Sequence, residues 1–181
     1  MFGSRTGARG QRQDAAHALY LSAVAQAREE AFFTRCGVPD SVDGRFETIA
    51  LHVFFLLRRM KDQGPEAAAL SQVLFDTMFA DMDRNLREMG AGDLGVGKRV
   101  KAMAEGFYGR VKAYDAALTA GDGEALDEAL GRNLYGTTAP EPAQVAAVAA
   151  YMRREAEAID RRELAGLLAG EVAFGPPPEP A

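Results

Sequence analysis

Apolar residues recur at helical spacing through the middle of the chain and predict two long helices joined by a short glycine-rich turn. The first set steps by four and three residues, which places it on one stripe of a 3.6-residue helix: Leu70, Leu74, Met78, Met82, Leu86 and Met89. The second set follows the turn at the same spacing: Val96, Val100, Met103, Phe107, Val111, Tyr114 and Leu118. The two stripes predict a helical hairpin over residues 75–110, around which the chain is organised.

Further helices are predicted on both sides of the hairpin. The first runs from about Asp14 to Thr34, and the second opens at Arg45 with Asp43 as its cap and is apolar nearly all round. Two more follow over residues 124–135 and 142–168. Since no period-two alternation persists for the length of a strand, the fold class is all-α: a single-domain helical bundle of about six helices with a central hairpin.

Composition sets the domain organisation. A chain of 181 residues with 48% hydrophobic content can bury one core, so we expect a helical domain over residues 14–170. Residues 1–13, which carry three arginines, predict a flexible basic arm, and residues 171–181 predict a flexible proline-rich tail. The longest apolar block, residues 49–57, is far shorter than the ~20 residues that span a bilayer as a helix. It therefore predicts a core helix, with His52 as a hydrogen-bonded core residue.

Charge and cysteine content limit the classes of partner and the type of cellular compartment. The formal charge of −5 argues against general nucleic-acid binding, so we expect no specific DNA partner. The single cysteine, Cys36, excludes an internal disulfide and fits a reducing compartment.

The glycines of the hairpin turn match two phosphate-loop patterns. Residues 90–95 read GxGxxG and residues 92–98 read GxxxxGK. Such loops bind phosphate where a strand turns into a helix, whereas here a helix precedes the glycines and Arg99 replaces the required Ser or Thr. We therefore predict a structural turn in which Gly90 ends the first helix in a left-handed conformation and Asp93 caps the second. We also expect Gly92 or Gly95 to hold a conformation that β-branched residues resist.

Candidate catalytic groups are few. Two histidines, His17 and His52, and the lone cysteine do not form a hydrolytic set, so no enzyme activity and no cofactor is predicted. The alternative is a metal-dependent enzyme that uses the carboxylates of Asp76, Asp81 and Asp83. Ion pairs such as Asp83 with Arg87 at i,i+4 favour a charged helix face instead. A cytosolic helical adaptor is the third possibility.

Basic residues cluster at the start of the hairpin's second helix, where positive charge is unfavourable. Lys98, Arg99 and Lys101 oppose the helix dipole, which indicates either neutralisation by the acidic first helix of the hairpin or an anionic partner. Further along, Tyr108 and Arg110 flank the inward stripe, as interface residues do. The alternative is that Tyr108 packs on the first or last helix and that Arg110 pairs with a carboxylate of the third predicted helix. The candidate docking residues are Asp93, Leu94, Lys98, Arg99, Lys101, Tyr108 and Arg110.

Five stretches together resemble the ubiquinol–cytochrome c chaperone family, the assembly factors of respiratory complex III. They are GVPDSVDGRFE, LHVFFLLRRM, LFDTMFADMDRNLREMG, GDLGVGKRVKAMAEGFYGR and AYDAAL. The resemblance covers residues 18–135 and leaves the last helix and the tail outside. It implies a helical, non-catalytic protein that binds newly made cytochrome b near the ribosomal tunnel exit, together with a small partner protein.

The resemblance also sets expectations for location and partners. Because the chain shows no mitochondrial presequence, we expect a bacterial member that is cytoplasmic and peripheral to the inner membrane. The expected client is cytochrome b or another membrane protein. The expected further partners are an anionic membrane surface, the ribosome and a small helical protein.

Overall fold

The computed structural model describes residues 3–90, 92–136 and 138–180, which form eight α-helices and no strand. In chain order they are α1 Gly3–Ala27, α2 Glu30–Thr34, α3 Val42–Met60, α4 Pro65–Glu88, α5 Asp93–Ala120, α6 Gly123–Leu130, α7 Pro142–Asp160 and α8 Leu164–Leu168. A π-helical turn, Gly131–Tyr135, extends α6. The predicted all-α class, the single helical domain and the hairpin, which is α4 and α5, are confirmed.

Helix α3 is the centre of the bundle. Most of its side chains are buried because α1, α4, α5 and α7 all contact it. Its N-cap is Ser41, whose hydroxyl accepts the Gly44 N–H at 3.1 Å. The predicted cap, Asp43, instead lies in the first turn, where its negative charge suits the helix dipole.

The first predicted helix is longer and is interrupted. Helix α1 already begins at Gly3, so residues 3–13 are helical where the sequence predicts a flexible arm over residues 1–13, and residues 1 and 2 lie outside the described part of the chain. Strong helix formers at residues 11–13 give the helix no reason to stop there. Toward its other end, the chain leaves helical conformation at Arg28 and Glu29 before α2 resumes.

Residues 171–180, here called the C-terminal strap, lie against the bundle although they form no helix. The Gly175 N–H donates to the buried carboxylate of Glu155 at 2.9 Å, and the Gln26 amide donates to the Gly175 carbonyl at 2.9 Å. These contacts tie the strap to α7 and α1. The structure thus differs from the flexible tail predicted for residues 171–181, because side chains far away in the sequence satisfy the strap's backbone groups.

A buried polar chain runs through the core at His52. Tyr151 O–H donates to His52 Nε2 at 2.7 Å, and His52 Nδ1 donates to the Thr48 carbonyl at 2.6 Å. Gln26 donates in turn to the Tyr151 hydroxyl at 3.1 Å, and the Phe174 ring of the strap stands edge-on to the imidazole at 5.1 Å. Complete burial penalises the imidazolium form and lowers the pKa of His52 to about 4.

We expect His52 to make stability depend on pH. A pKa lowered from 6.5 to about 4 contributes stability that is present above pH 6.5 and is lost as pH falls through 4. The protein should lose about 3 kcal/mol of unfolding free energy from this group between pH 7 and pH 4. The His52→Gln variant, whose amide oxygen can still accept from Tyr151, should not show this loss in urea unfolding. Parallel pH curves for the two proteins would contradict the assignment.

The hairpin turn depends on Gly90. Its φ of 84° lies in the region that favours glycine, which confirms the predicted left-handed end of the helix. Gly92 has a φ of −63° and occupies the N-cap of α5, and Gly95 is helical. The prediction that Gly92 or Gly95 holds the special conformation is therefore wrong. Asp93, the predicted cap, is the first residue of α5, and its side chain lies outside the described part of the structure.

Substitutions in this turn should separate the glycines. Gly90→Val should lower the free energy of unfolding by about 1–2 kcal/mol, because a β-branched residue resists positive φ. Gly92→Val should cost less, since its backbone is extended and a Cβ there meets nothing within 4 Å. Thermal unfolding of the two variants provides the comparison. Equally small losses of stability would show that the turn does not require glycine at position 90.

Candidate functional site

An open apolar groove lies between the C-terminal half of α3, the N-terminal half of α4 and α5. We call it the α4–α5 groove, and its volume is about 820 Å³. Its apolar lining includes Phe54, Leu57, Met60, Phe75, Tyr108 and Val111. Tyr108 is 61% exposed, and its ring stacks on Phe75 at 5.3 Å between centroids with an interplanar angle of 28°. The groove thus presents an aromatic wall to solvent and holds it in a defined position.

The rim of the groove is charged. Asp115 on α5 accepts from Arg58 and from Lys61 of α3, each at 3.1 Å. Lys112 also lines the groove; it is exposed and makes no ion pair with any residue whose position is described. An apolar floor with a polar rim is the usual composition of a protein-binding surface.

Arg110 is a tether within the fold. Its guanidinium forms a bidentate pair with the carboxylate of Glu47 on α3, with Nε 2.6 Å from Oε2. Only 20% of the Arg110 side chain and 9% of the Glu47 side chain are exposed. Burial raises the pKa of Glu47 to about 6, although Arg110 acts in the opposite direction. Gly106, one turn earlier, leaves space for the guanidinium that a Cβ would occupy.

The pairing of Arg110 answers a question that the sequence left open. The sequence allowed a pair with a carboxylate of the third predicted helix, which is α4. The structure shows that the carboxylate belongs to Glu47 of α3 instead. Tyr108 packs on Phe75 of α4 rather than on the first or last helix.

The basic residues at the start of α5 are exposed. Arg99 pairs with Asp43 of α3 at 2.6 Å, and Lys101 lies 3.8 Å from Glu105 of its own helix. Lys98 makes no ion pair within the described residues. The acidic first helix of the hairpin is therefore not what neutralises Arg99, because α3 supplies the carboxylate.

The predicted docking residues are spread along α5. Ten residues separate Lys98 from Tyr108, which is about 15 Å along a helix. The side chains of Asp93 and Leu94 lie outside the described residues. Whether these residues share one surface thus stays a prediction.

A second groove, missed by sequence reasoning, lies near the basic end of α5. It has a volume of about 640 Å³ and is lined in part by Phe46, Met82, Met89 and Met103. Met89 is 64% exposed. Methionine-lined surfaces adapt to apolar partners of varied shape. The signal in the sequence was the repeated methionine, which the helical spacing assigned to the core.

The three aspartates of the metal-enzyme alternative are engaged separately. Asp81 accepts from the Tyr20 hydroxyl at 2.8 Å, and Asp83 accepts from Arg87 at 2.6 Å, which lowers the pKa of Asp83. Asp76 accepts from a glutamine one turn earlier. Among the described residues, no group of three or more His, Cys, Asp or Glu side chains is arranged to hold a metal ion.

The fold and the groove together define an all-helical protein that presents an apolar groove to solvent. The chain belongs to the ubiquinol–cytochrome c chaperone family, whose family model matches residues 34–174. This confirms the resemblance inferred from the motifs. It also corrects its extent, because the match continues through α7 and α8, which the resemblance left outside.

Individual relatives agree with this family. The chain is 29% identical to ubiquinol–cytochrome c reductase complex assembly factor 1 of Mus musculus, and the alignment covers 90% of this chain and 55% of the mouse protein. It is 28% identical to the Xenopus laevis factor, with 90% and 81% covered. The chain thus spans about half the length of the mouse relative.

A solved structure shares the whole fold. The crystal structure of the Cbp3 homolog from Brucella abortus matches with a TM-score of 0.84 and 36% identity over 97% of each chain. Among the described helices, none combines the length and apolar character needed to cross a bilayer.

Removing the Arg110 tether should cost stability. Arg110→Met leaves the Glu47 carboxylate buried without its partner, so we expect a loss of about 3 kcal/mol in the free energy of unfolding. Lys98→Met should change it by less than about 0.5 kcal/mol, because Lys98 is exposed. Urea unfolding at neutral pH measures both. Similar small effects would show that the pair contributes little to the fold.

Proposed function

We propose that this protein is a non-enzymatic chaperone in the assembly of ubiquinol–cytochrome c reductase, respiratory complex III. Its proposed client is cytochrome b or another membrane protein of that complex. Family membership and the names of the relatives as assembly factors support this proposal. The observation that carries it is the α4–α5 groove with its exposed Tyr108 wall.

The groove suits an apolar segment that has not yet found its final partners. An unassembled membrane protein exposes apolar helix faces, and a helix packs into an apolar groove through side chains spaced one turn apart. Tyr108 and Phe75 offer a flat aromatic contact whose rings already stack, so binding orders little that was free before. Tyrosine is also enriched among the residues that dominate binding energy at interfaces.

The basic start of α5 supplies a second contact in the proposal. Lys98, Arg99 and Lys101, with Asp93 and Leu94 beside them, would meet an anionic partner. The ion pairs of Arg99 and Lys101 are exposed and contribute at most about 1 kcal/mol each, so a partner can replace them. Acidic loops of the client, membrane headgroups and ribosomal RNA all offer such a partner, and a small helical protein can bind beside them. With such partners, the proposed location is the cytoplasmic face of the inner membrane.

Client capture tests the groove. We expect Tyr108→Ala to reduce the recovery of cytochrome b with the purified protein, after mild crosslinking of membranes, by about tenfold or more. Truncating Tyr108 removes the exposed half of the aromatic wall and leaves the core intact, so the unfolding temperature should hardly change. Met89→Ala is the matched control, because Met89 is equally exposed but lies in the other groove.

Four results would count against parts of the proposal. Unchanged capture by Tyr108→Ala would remove the groove from it, and equal losses with Met89→Ala would show a general loss of apolar surface. Absence of cytochrome b and of every other complex III subunit from the captured material would contradict the assembly role itself. A variant with glutamate at positions 98, 99 and 101 that captures client normally even at low salt would exclude the basic contact.

A further inference from the structure

A third large cleft lies between α1 and α4. Its volume is about 890 Å³, and α4 lines it with residues that include Val73, Thr77 and Ala80. The α4–α5 groove uses Ser71 and Phe75 of the same helix. Because successive helical residues are about 100° apart, these two sets point to opposite sides of α4. The cleft, here called the α1–α4 cleft, therefore faces away from the proposed client groove.

The α1–α4 cleft is rich in arginine. Four arginines and two aspartates line it, in a chain whose total charge is −5. Both aspartates already accept hydrogen bonds: Asp81 from Tyr20, Arg84 and Asn85, and Asp76 from Gln72. Both carboxylates of the cleft therefore have partners other than its three remaining arginines.

Arg9, Arg12 and Arg28 are those remaining arginines. None of their side chains makes an ion pair or hydrogen bond with the residues that the structure describes. Other arginines, such as Arg58 and Arg110, are held by carboxylates. Arg9 and Arg12 are three residues apart on α1, so their like charges oppose each other and an anion would relieve that repulsion. Guanidinium groups bind phosphate oxygens through paired N–H donors.

The shape of this face favours an extended anionic surface over a single ion. Arg28 directly follows the last residue of α1 and lies nineteen positions after Arg9, which corresponds to about 28 Å of helix. Leu21 lies between them on the same lining and is 53% exposed. A helix face that combines arginines with an exposed leucine is the pattern of helices that lie at a membrane interface.

We propose that the face of α1 that borders the α1–α4 cleft docks on an anionic phospholipid surface. The guanidinium groups of Arg9, Arg12 and Arg28 contact lipid phosphates, and Leu21 enters the boundary between headgroups and acyl chains. Docking through this face leaves the α4–α5 groove, on the other side of α4, open to a partner. The proposal does not depend on what that groove binds.

Vesicle binding by the full chain tests this proposal. We expect the protein to sediment with vesicles of phosphatidylcholine mixed with phosphatidylglycerol, but not with phosphatidylcholine alone, and to be released by added salt. Replacing Arg9, Arg12 and Arg28 with glutamine should weaken this binding about a hundredfold. The matched control replaces Lys98, Arg99 and Lys101 with glutamine, which removes the same charge from another site and should have a smaller effect. Leu21→Ser should also weaken binding while the unfolding temperature stays the same.

The two triple variants decide between the faces. Equal losses in both would mean that binding follows total charge, and a loss only in the Lys98 variant would place the lipid contact at the start of α5. Either result overturns the proposal, as does a protein that ignores anionic vesicles at low salt. If the arginine variant binds vesicles normally but loses a crosslinked acidic protein, the face is a protein contact and the lipid assignment is wrong. Each of these results leaves the test of client capture unaffected.

Discussion

The burial of α3 on every side is the constraint on which the rest of the structure depends. A helix apolar nearly all round is stable only if other elements cover each of its faces, and α1, α4, α5 and α7 do so here. The polar groups that enter this core are satisfied in turn: His52 between Tyr151 and a backbone carbonyl, and Glu47 by Arg110. Because the covering helices are fixed by α3, their outward faces hold fixed relations to one another.

The apolar spacing of the sequence predicted the features that depend only on residues near one another in the chain. The hairpin, the buried α3 and the exposure of Tyr108 follow from spacing alone, since residues off an apolar stripe face away from the core. The Glu47 partner of Arg110 and the strap contacts of Glu155 join residues 63 and 20 positions apart in the sequence. Nothing in the neighbourhood of those residues specifies such pairs. The strap differs from expectation for this reason, whereas the first turns of α1 differ because composition suggested a flexible arm where local helix propensity continues the helix.

The candidate site likewise combines features that the sequence predicted with features that depend on how distant helices pack. Sequence reasoning found residues on α5 that the core does not require, and Tyr108 indeed borders a groove. Which helices form the other walls depends on how α3, α4 and α5 pack, so neither groove could be seen beforehand. The arginines of α1 were noted only as part of a basic arm. Their position opposite α4 shows that two surfaces of different chemistry share one helix, with an aromatic groove on one side and a guanidinium-lined cleft on the other.

The distribution of basic side chains over these surfaces also governs what chemical labelling can detect. Four lysines occur in the sequence, and all of them lie at the end of α3 or along α5: Lys61, Lys98, Lys101 and Lys112. Two of these line the α4–α5 groove, whereas the basic side chains of the α1–α4 cleft are arginines and a histidine. Crosslinks formed through lysine side chains therefore report on partners of the groove and of the start of α5. A partner seated only on the arginine face escapes them, and guanidinium-selective or photoactivated reagents are needed to trap it.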